Sequence, residues 1–264
     1  MDKEDQRVIY FKDELNDEFC DKVAIEKTID KSYVYIKKNP FWHIGRFILY
    51  RLIATPLAWL YLKIKFHHKI ENKKVLKQAK KSGYYLYGNH TQELADALIP
   101  SMVSYPKQSF VVVNPSNLAI KGIGKVAPIL GALPLPSDIA STKNFLEALK
   151  YHGDKRHSIV IYPEAHIWPY YTKIRPFRSA SFRYPIKNDL PVYCFTNTYQ
   201  KRRGKTPKIV TYVDGPFYPN KDLPYKDMEQ DLRDRVYHAM CERSRQSTVE
   251  VIKYIRMNDD DNGE

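Results

Sequence analysis

The chain has 264 residues, 43% hydrophobic and 28% charged, which excludes a disordered polymer and allows one large core with at most a small appendage. Its net charge of +13 calls for an acidic partner: nucleic acid, an anionic membrane surface or a phosphorylated substrate. Three widely spaced cysteines, Cys20, Cys194 and Cys241, make neither a disulfide framework nor a zinc pattern, and the polar start Met1-Asp2-Lys3-Glu4-Asp5 is not a signal peptide, so cytosolic exposure is expected.

Residues 1–40 read as an N-terminal appendage. Val8-Ile9-Tyr10-Phe11 and Tyr33-Val34-Tyr35-Ile36 have strand composition, with a polar, helix-compatible stretch between them. Residues 41–66 are the most apolar part. The run from Phe47 to Leu62 holds 16 residues and is interrupted by Arg51 and Pro56. A helix needs roughly 20 apolar residues to span a bilayer, so an interfacial helix pair broken at Pro56 fits better. Trp42, Trp59 and Tyr61 would lie at headgroup depth, with Arg46, Arg51, Lys63 and Lys65 meeting lipid phosphates. An ordinary buried helix is the competing reading. From Lys37 to Lys81 there are twelve Lys or Arg and a single acid, Glu71. Basic residues interleaved with apolar ones favour a membrane over nucleic acid.

Residues 67–258 alternate short apolar runs with helical stretches. Strands are expected at Tyr84–Gly88, Phe110–Val113, Ala132–Leu135, Ser158–Tyr162, Pro191–Phe195 and Lys208–Val213. Helices are expected over 93–103, brokenly over 117–130, over 142–151 with Ser141 as cap, and over 226–256. Residues 259–264 form an acidic tail. This alternation predicts an α/β fold: a mixed, largely parallel sheet flanked by helices, preceded by the interfacial helical segment. Chemistry in such sheets gathers beyond the carboxyl ends of strands.

Two such places carry reactive residues. In Gly88-Asn89-His90-Thr91-Gln92-Glu93-Leu94-Ala95-Asp96, a histidine past a strand end could act as general base, with a carboxylate fixing its tautomer. The competing reading is a loop histidine near a solvated acid. In the second, Tyr162-Pro163-Glu164-Ala165-His166 is followed by Lys173, Arg175 and Arg178, a cluster able to hold a phosphate, or else an ordinary basic loop. G-x-S-x-G, the phosphate-loop motif and the dinucleotide-binding motif are absent, and His67-His68 lacks further metal ligands and reads as a basic patch.

At these two sites the sequence resembles the glycerolipid acyltransferase family, which includes the 1-acylglycerol-3-phosphate acyltransferases. The family's N-H-x4-D corresponds to Asn89-His90 with Asp96, and its F-P-E-G-[TS] to Tyr162 through His166. Gly131 to Asp138 sits where its second motif lies, and Leu190-Pro191-Val192-Tyr193-Cys194 resembles its last, proline-led strand. The order matches over roughly residues 41–215. There are departures. Five residues separate His90 from Asp96, and Ala95 takes the usual acid position, so either the loop absorbs one residue or Glu93 substitutes; Asp96 is favoured. The second motif's arginine is missing near Ser137 and Asp138, and Ala165 and His166 replace Gly and Thr or Ser.

The resemblance implies acyl transfer from a thioester, carried on coenzyme A or acyl carrier protein, to the hydroxyl of a lysophospholipid. His90 and Asp96 would be catalytic. Asn89, Thr91, Glu164, His166, Lys173, Arg175 and Arg178 would hold substrate, with Lys121 or Lys125 standing in for the missing arginine. No metal or other cofactor is implied, and the expected site of action is the cytoplasmic face of a membrane, in peripheral or monotopic attachment. A related enzyme with a different acceptor remains open, as does a non-catalytic protein binding anionic lipid. The aromatic–glycine strand signatures of RNA-binding modules are absent, so nucleic acid is not an expected partner.

Overall fold

A computed structural model of the chain describes residues 6–20, 27–204 and 206–257. Strand β1 (Val8–Phe11) is followed by helix α1 (Pro40–Arg46) and helix α2 (Thr55–Phe66), joined by a π-helical stretch, Phe47–Ala54. Then come β2 (Lys69–Glu71), β3 (Tyr84–Gly88), α3 (Ala95–Ser104), β4 (Ser109–Val113), α4 (Ile123–Val126) and β5 (Ala132–Pro134). The chain continues through α5 (Ile139–Asp154), β6 (Ser158–Ile161), α6 (Arg183–Asn188), β7 (Val192–Gln200), β8 (Lys208–Phe217), α7 (Tyr225–Ser244) and β9 (Lys253–Arg256).

The central sheet has the order β2–β8–β7–β3–β6–β4–β5. All its pairings are parallel except β7 with β8. The α/β fold with a mixed, largely parallel sheet is therefore as expected. Strands β3 and β6 are buried on both faces, which explains their nearly continuous apolar runs. Side chains alternate along β3: Tyr84 and Leu86 pack with α2 and α3, while Tyr85 and Tyr87 pack on the opposite face with α5 and α7. Tyr87 stands level with Ile161 of β6, and Gly88 with Phe195 of β7. The loops after β3 and β6 thus leave the same edge side by side, while β7 runs on past them.

Several expectations change. Pro56 does not break the apolar segment, which is one helical run from Pro40 to Phe66, long and apolar enough by composition to cross a membrane. The wider π turn accommodates the missing proline amide and its ring, with the Thr55 N–H bonding back to the Tyr50 carbonyl. Tyr33–Ile36 forms no strand; Tyr35 instead donates its hydroxyl to the Pro134 carbonyl and packs on Phe145. Helix α5 begins earlier than read, because Asp138 caps it in a reciprocal capping box with Ser141, which is its third residue and not its cap. The C-terminal stretch is not one helix: α7 ends at Ser244, and residues 253–256 pair as β9 with β1.

That pairing also revises the appendage. Phe11 and Phe19 pack with Trp168, Tyr171 and Tyr254, so residues 6–20 clasp the loop after β6. The acidic tail, 259–264, lies outside the described residues.

Candidate active site

The site begins with Gly88 at the end of β3. A Cβ there would lie 2.2 Å from the Phe195 ring, so only glycine lets β7 cross this close. Asn89, next along, is buried and exchanges two hydrogen bonds with the Asn197 backbone: its Oδ1 accepts from the N–H at 2.7 Å and its Nδ2 donates to the carbonyl at 3.1 Å. This prolongs the β3–β7 ladder by a side chain and fixes where His90 departs.

His90 Nδ1 lies 2.9 Å from Asp96 Oδ2. The same oxygen accepts from the Thr91 and Gln92 backbone N–H groups at 2.8 and 2.9 Å, and Asn197 Nδ2 donates to Oδ1 at 3.2 Å. The loop therefore folds back onto the carboxylate as a tight turn, which absorbs the extra residue before Asp96. The exposed Glu93 takes no part in this turn. An ionised carboxylate only accepts, so His90 Nδ1 carries the proton toward Asp96, leaving the Nε2 lone pair available. Nε2 makes no hydrogen bond to another described residue, and the imidazole is 19% exposed against 1% for Asp96. That is the geometry of a general base whose orienting acid is buried.

Tyr162 lies over the imidazole at 4.4 Å between ring centroids and 19° between planes, and its hydroxyl donates to the Asp96 carbonyl. Burial, and then the Asp96 charge, push this phenol well above its ordinary range, so it remains a donor. Glu164 Oε2 accepts from the His90 N–H at 2.9 Å, and Oε1 from the Arg175 N–H at 3.0 Å. The Arg175 guanidinium approaches Glu164 Oε2 at 3.8 Å and donates to the carbonyls of Glu164, His166 and Glu14. Burial raises the Glu164 carboxyl and lowers the Arg175 guanidinium, and their mutual attraction opposes both shifts. Two backbone bonds complete the brace, Trp168 N–H to the His90 carbonyl and Tyr170 N–H to the Thr91 carbonyl. Trp168 donates in turn to the Asp17 carbonyl of the N-terminal clasp.

These contacts revise the substrate-binding set. Asn89, Thr91, Glu164 and Arg175 are buried, and their polar groups bond to the protein around the His90 loop. His166 lies 3.7 Å from Glu18, while Lys173 and Arg178 are exposed and make no contact with the His90 cluster. Lys121 and Lys125, with Lys27, line a cavity of about 610 Å³ together with Tyr33, Leu118 and Ile120. It opens on the β4–β5 connection, which leaves the sheet at the same edge as His90. Three residues of the site were not singled out from sequence: Asn197, Trp168 and Tyr199, whose buried hydroxyl donates to Thr91 Oγ1 at 2.7 Å. Their only signal was a polar and aromatic character unusual for buried positions.

The membrane set also divides. Arg46 lies on Phe110 at 4.2 Å, and Arg51 donates to the Pro106 carbonyl beside Tyr105, so both turn toward the domain. Trp42 is half-buried. Trp59, Lys63 and Lys65 are exposed, alongside Leu57, Leu60 and Ile64. Thr55, Ala58, Leu62 and Phe66 of α2 are buried against the core, and Tyr61 packs partly buried beside them.

No family model and no curated protein matches the chain. Among solved structures it is similar to the 1-acyl-sn-glycerophosphate (LPA) acyltransferase PlsC from Thermotoga maritima, at 15% identity and a TM-score of 0.57, over 82% of this chain and 87% of that one. At that identity the likeness establishes the fold. A mitochondrial ATP synthase chain from Euglena gracilis, at 11% identity and a TM-score of 0.20 over 80% of this chain and 76% of that one, is too distant to bear on it.

Proposed function

We propose that the chain is a glycerolipid acyltransferase that moves a fatty acyl group from a thioester to the hydroxyl of a lysophosphatidic-acid-like acceptor at a membrane surface. The observation that carries this is His90, oriented through Nδ1 by buried Asp96, with Nε2 open beyond the carboxyl end of β3. The fold shared with PlsC and the motif order support it.

In this mechanism His90 Nε2 takes the proton of the acceptor hydroxyl as its oxygen attacks the thioester carbonyl carbon. Asp96 stabilises the imidazolium that forms. The tetrahedral intermediate collapses with cleavage of the C–S bond, and the imidazolium returns its proton to the departing thiolate. The products are an ester and a free thiol, and no covalent enzyme intermediate is needed. Lys121 and Lys125 receive the acceptor phosphate in their cavity, a role for which buried Arg175 is not available. The exposed apolar side of the Pro40–Phe66 helix holds the enzyme at the bilayer, on the cytoplasmic face, where coenzyme A or acyl carrier protein thioesters are found.

The test is acyl transfer from acyl-CoA to lysophosphatidic acid with the full chain on phospholipid vesicles. His90→Ala removes transfer; full activity in that variant rules the mechanism out. Lys121→Ala with Lys125→Ala raises the KM for lysophosphatidic acid and leaves that for monoacylglycerol unchanged. Equal rates of the wild-type protein with both acceptors would instead favour an acceptor lacking phosphate.

A further inference from the structure

Asp96 is reached from two directions. One is the His90 loop. The other is a file of buried polar side chains crossing β7 and β8 to the exit of α2. Asn197 Nδ2 donates to Asp96 Oδ1 at 3.2 Å, Thr211 Oγ1 donates to Asn197 Oδ1 at 2.6 Å, and His68 Nε2 lies 2.8 Å from Thr211 Oγ1. Asn197 and Thr211 are 2% and 0% exposed. Each bond fixes the next. A carboxylate accepts only, so the Asn197 amide must present its nitrogen to Asp96 and its oxygen to Thr211. Thr211 has then spent its one proton on Asn197, and its remaining capacity is as acceptor. His68 must therefore carry its proton on Nε2. All donors in the file point the same way and end on the catalytic carboxylate.

We infer that Asn197, Thr211 and His68 are positioning residues that hold Asp96 in place, and through it the tautomer and basicity of His90. The assignment rests on the acyltransferase reading of His90. His68 lies two residues beyond the end of α2, so the file also ties the exit of the apolar helix to the reacting centre. Burial, and then the Lys63 charge, lower His68 to about 4, so it serves as a neutral donor at physiological pH. The side chain of Asn197 does only this. Its pairing with Asn89 is made by its backbone N–H and carbonyl and survives side-chain replacement.

Asn197→Leu removes a donor from Asp96, and Thr211→Val frees the amide that supplies it; with that donor lost or weakened the Asp96 carboxylate is more basic, which stabilises the imidazolium and raises the titration of His90. For Asn197→Leu and Thr211→Val, kcat falls about tenfold, as for other partners that orient a reacting group from outside, and KM for both substrates stays unchanged. The acid limb of the kcat/KM profile moves to higher pH, and Thr211→Ser, which keeps the hydroxyl, restores both. An imidazole titration of His90 by ¹⁵N NMR in wild type and Thr211→Val gives the same comparison without substrate. An upward shift supports the file. An unchanged His90 titration, or a fall in kcat that Thr211→Ser does not restore, overturns it. Retained transfer in His90→Ala would defeat the acyltransferase reading instead, and the titration would still decide whether the file acts on His90.

Discussion

At the scale of single residues, the site joins open groups to saturated ones. His90 has one ring nitrogen committed and one free, while both carboxylate oxygens of Asp96 and of Glu164 accept hydrogen bonds and Arg175 donates to three carbonyls through its two terminal nitrogens. Asp96→Asn keeps its oxygen toward the Thr91 and Gln92 N–H groups and His90 Nδ1 but removes the negative charge that stabilises the imidazolium, and kcat in the acyl-transfer assay should fall on the order of 10³–10⁴-fold. Arg175→Met acts differently. It leaves Glu164 buried without its cation, at a cost of about 3–5 kcal/mol of stability, measurable by urea denaturation. Ala165 lies at φ 64, a left-handed backbone that disfavours a Cβ, at the place where the related motif has glycine. Ala165→Gly should therefore stabilise the fold by up to about 1 kcal/mol, the relief at this φ exceeding glycine's greater freedom when unfolded. The His90–Asp96 pair was legible in the sequence, because histidine and carboxylate types in a strand-to-helix loop are few. The inward turn of Arg175 was not: an arginine in a basic cluster has the same letter whether it meets lipid phosphate or three backbone carbonyls.

At the scale of elements, the Pro40–Phe66 helix departs most from its sequence. Composition gave an apolar segment with interfacial aromatic and basic residues, and Pro56 suggested a break. The π turn removes the reason for one, so a helix pair becomes a single rod with one narrow seam against the core and a broad apolar side left exposed. Burying a leucine- or isoleucine-sized side chain in lipid contributes about 1.5–3 kcal/mol, so Leu60→Glu with Ile64→Glu should weaken vesicle binding about a hundredfold or more. Vesicle sedimentation measures the loss, and circular dichroism should show an intact fold because neither residue touches the core seam. The loop after β3 teaches a related lesson. Counting residues put Asp96 one position too far, and the backbone donors of Thr91 and Gln92 show how the turn closes the gap. Strands were legible from apolar runs, whereas β9 was lost inside a helical pattern because four residues carry little periodicity.

At the scale of the whole molecule, the chain closes on itself: β1 pairs with β9, and the N-terminal clasp supports the loop that supports His90. Burial also holds three histidines, His68, His152 and His157, well below their ordinary range. A histidine lowered on folding binds its proton more readily in the unfolded chain, so stability is full above about pH 6.5 and declines as the pH falls below it. The expected slope is up to about 1.4 kcal/mol per pH unit for each histidine, and His152→Leu should reduce it in denaturation curves taken between pH 7 and 4.5. The sequence by itself determined the α/β class, the apolar segment, the basic balance and the residue types at the proposed reacting centre, because periodicity, composition and short motifs are local properties. The tertiary structure alone decided that Asp96 and not Glu93 meets His90, that Glu164 and Arg175 brace the loop, and that Asn197, Thr211 and His68 stand behind the carboxylate. Those contacts join residues up to 143 positions apart, and strand order is a non-local property that no window of sequence contains.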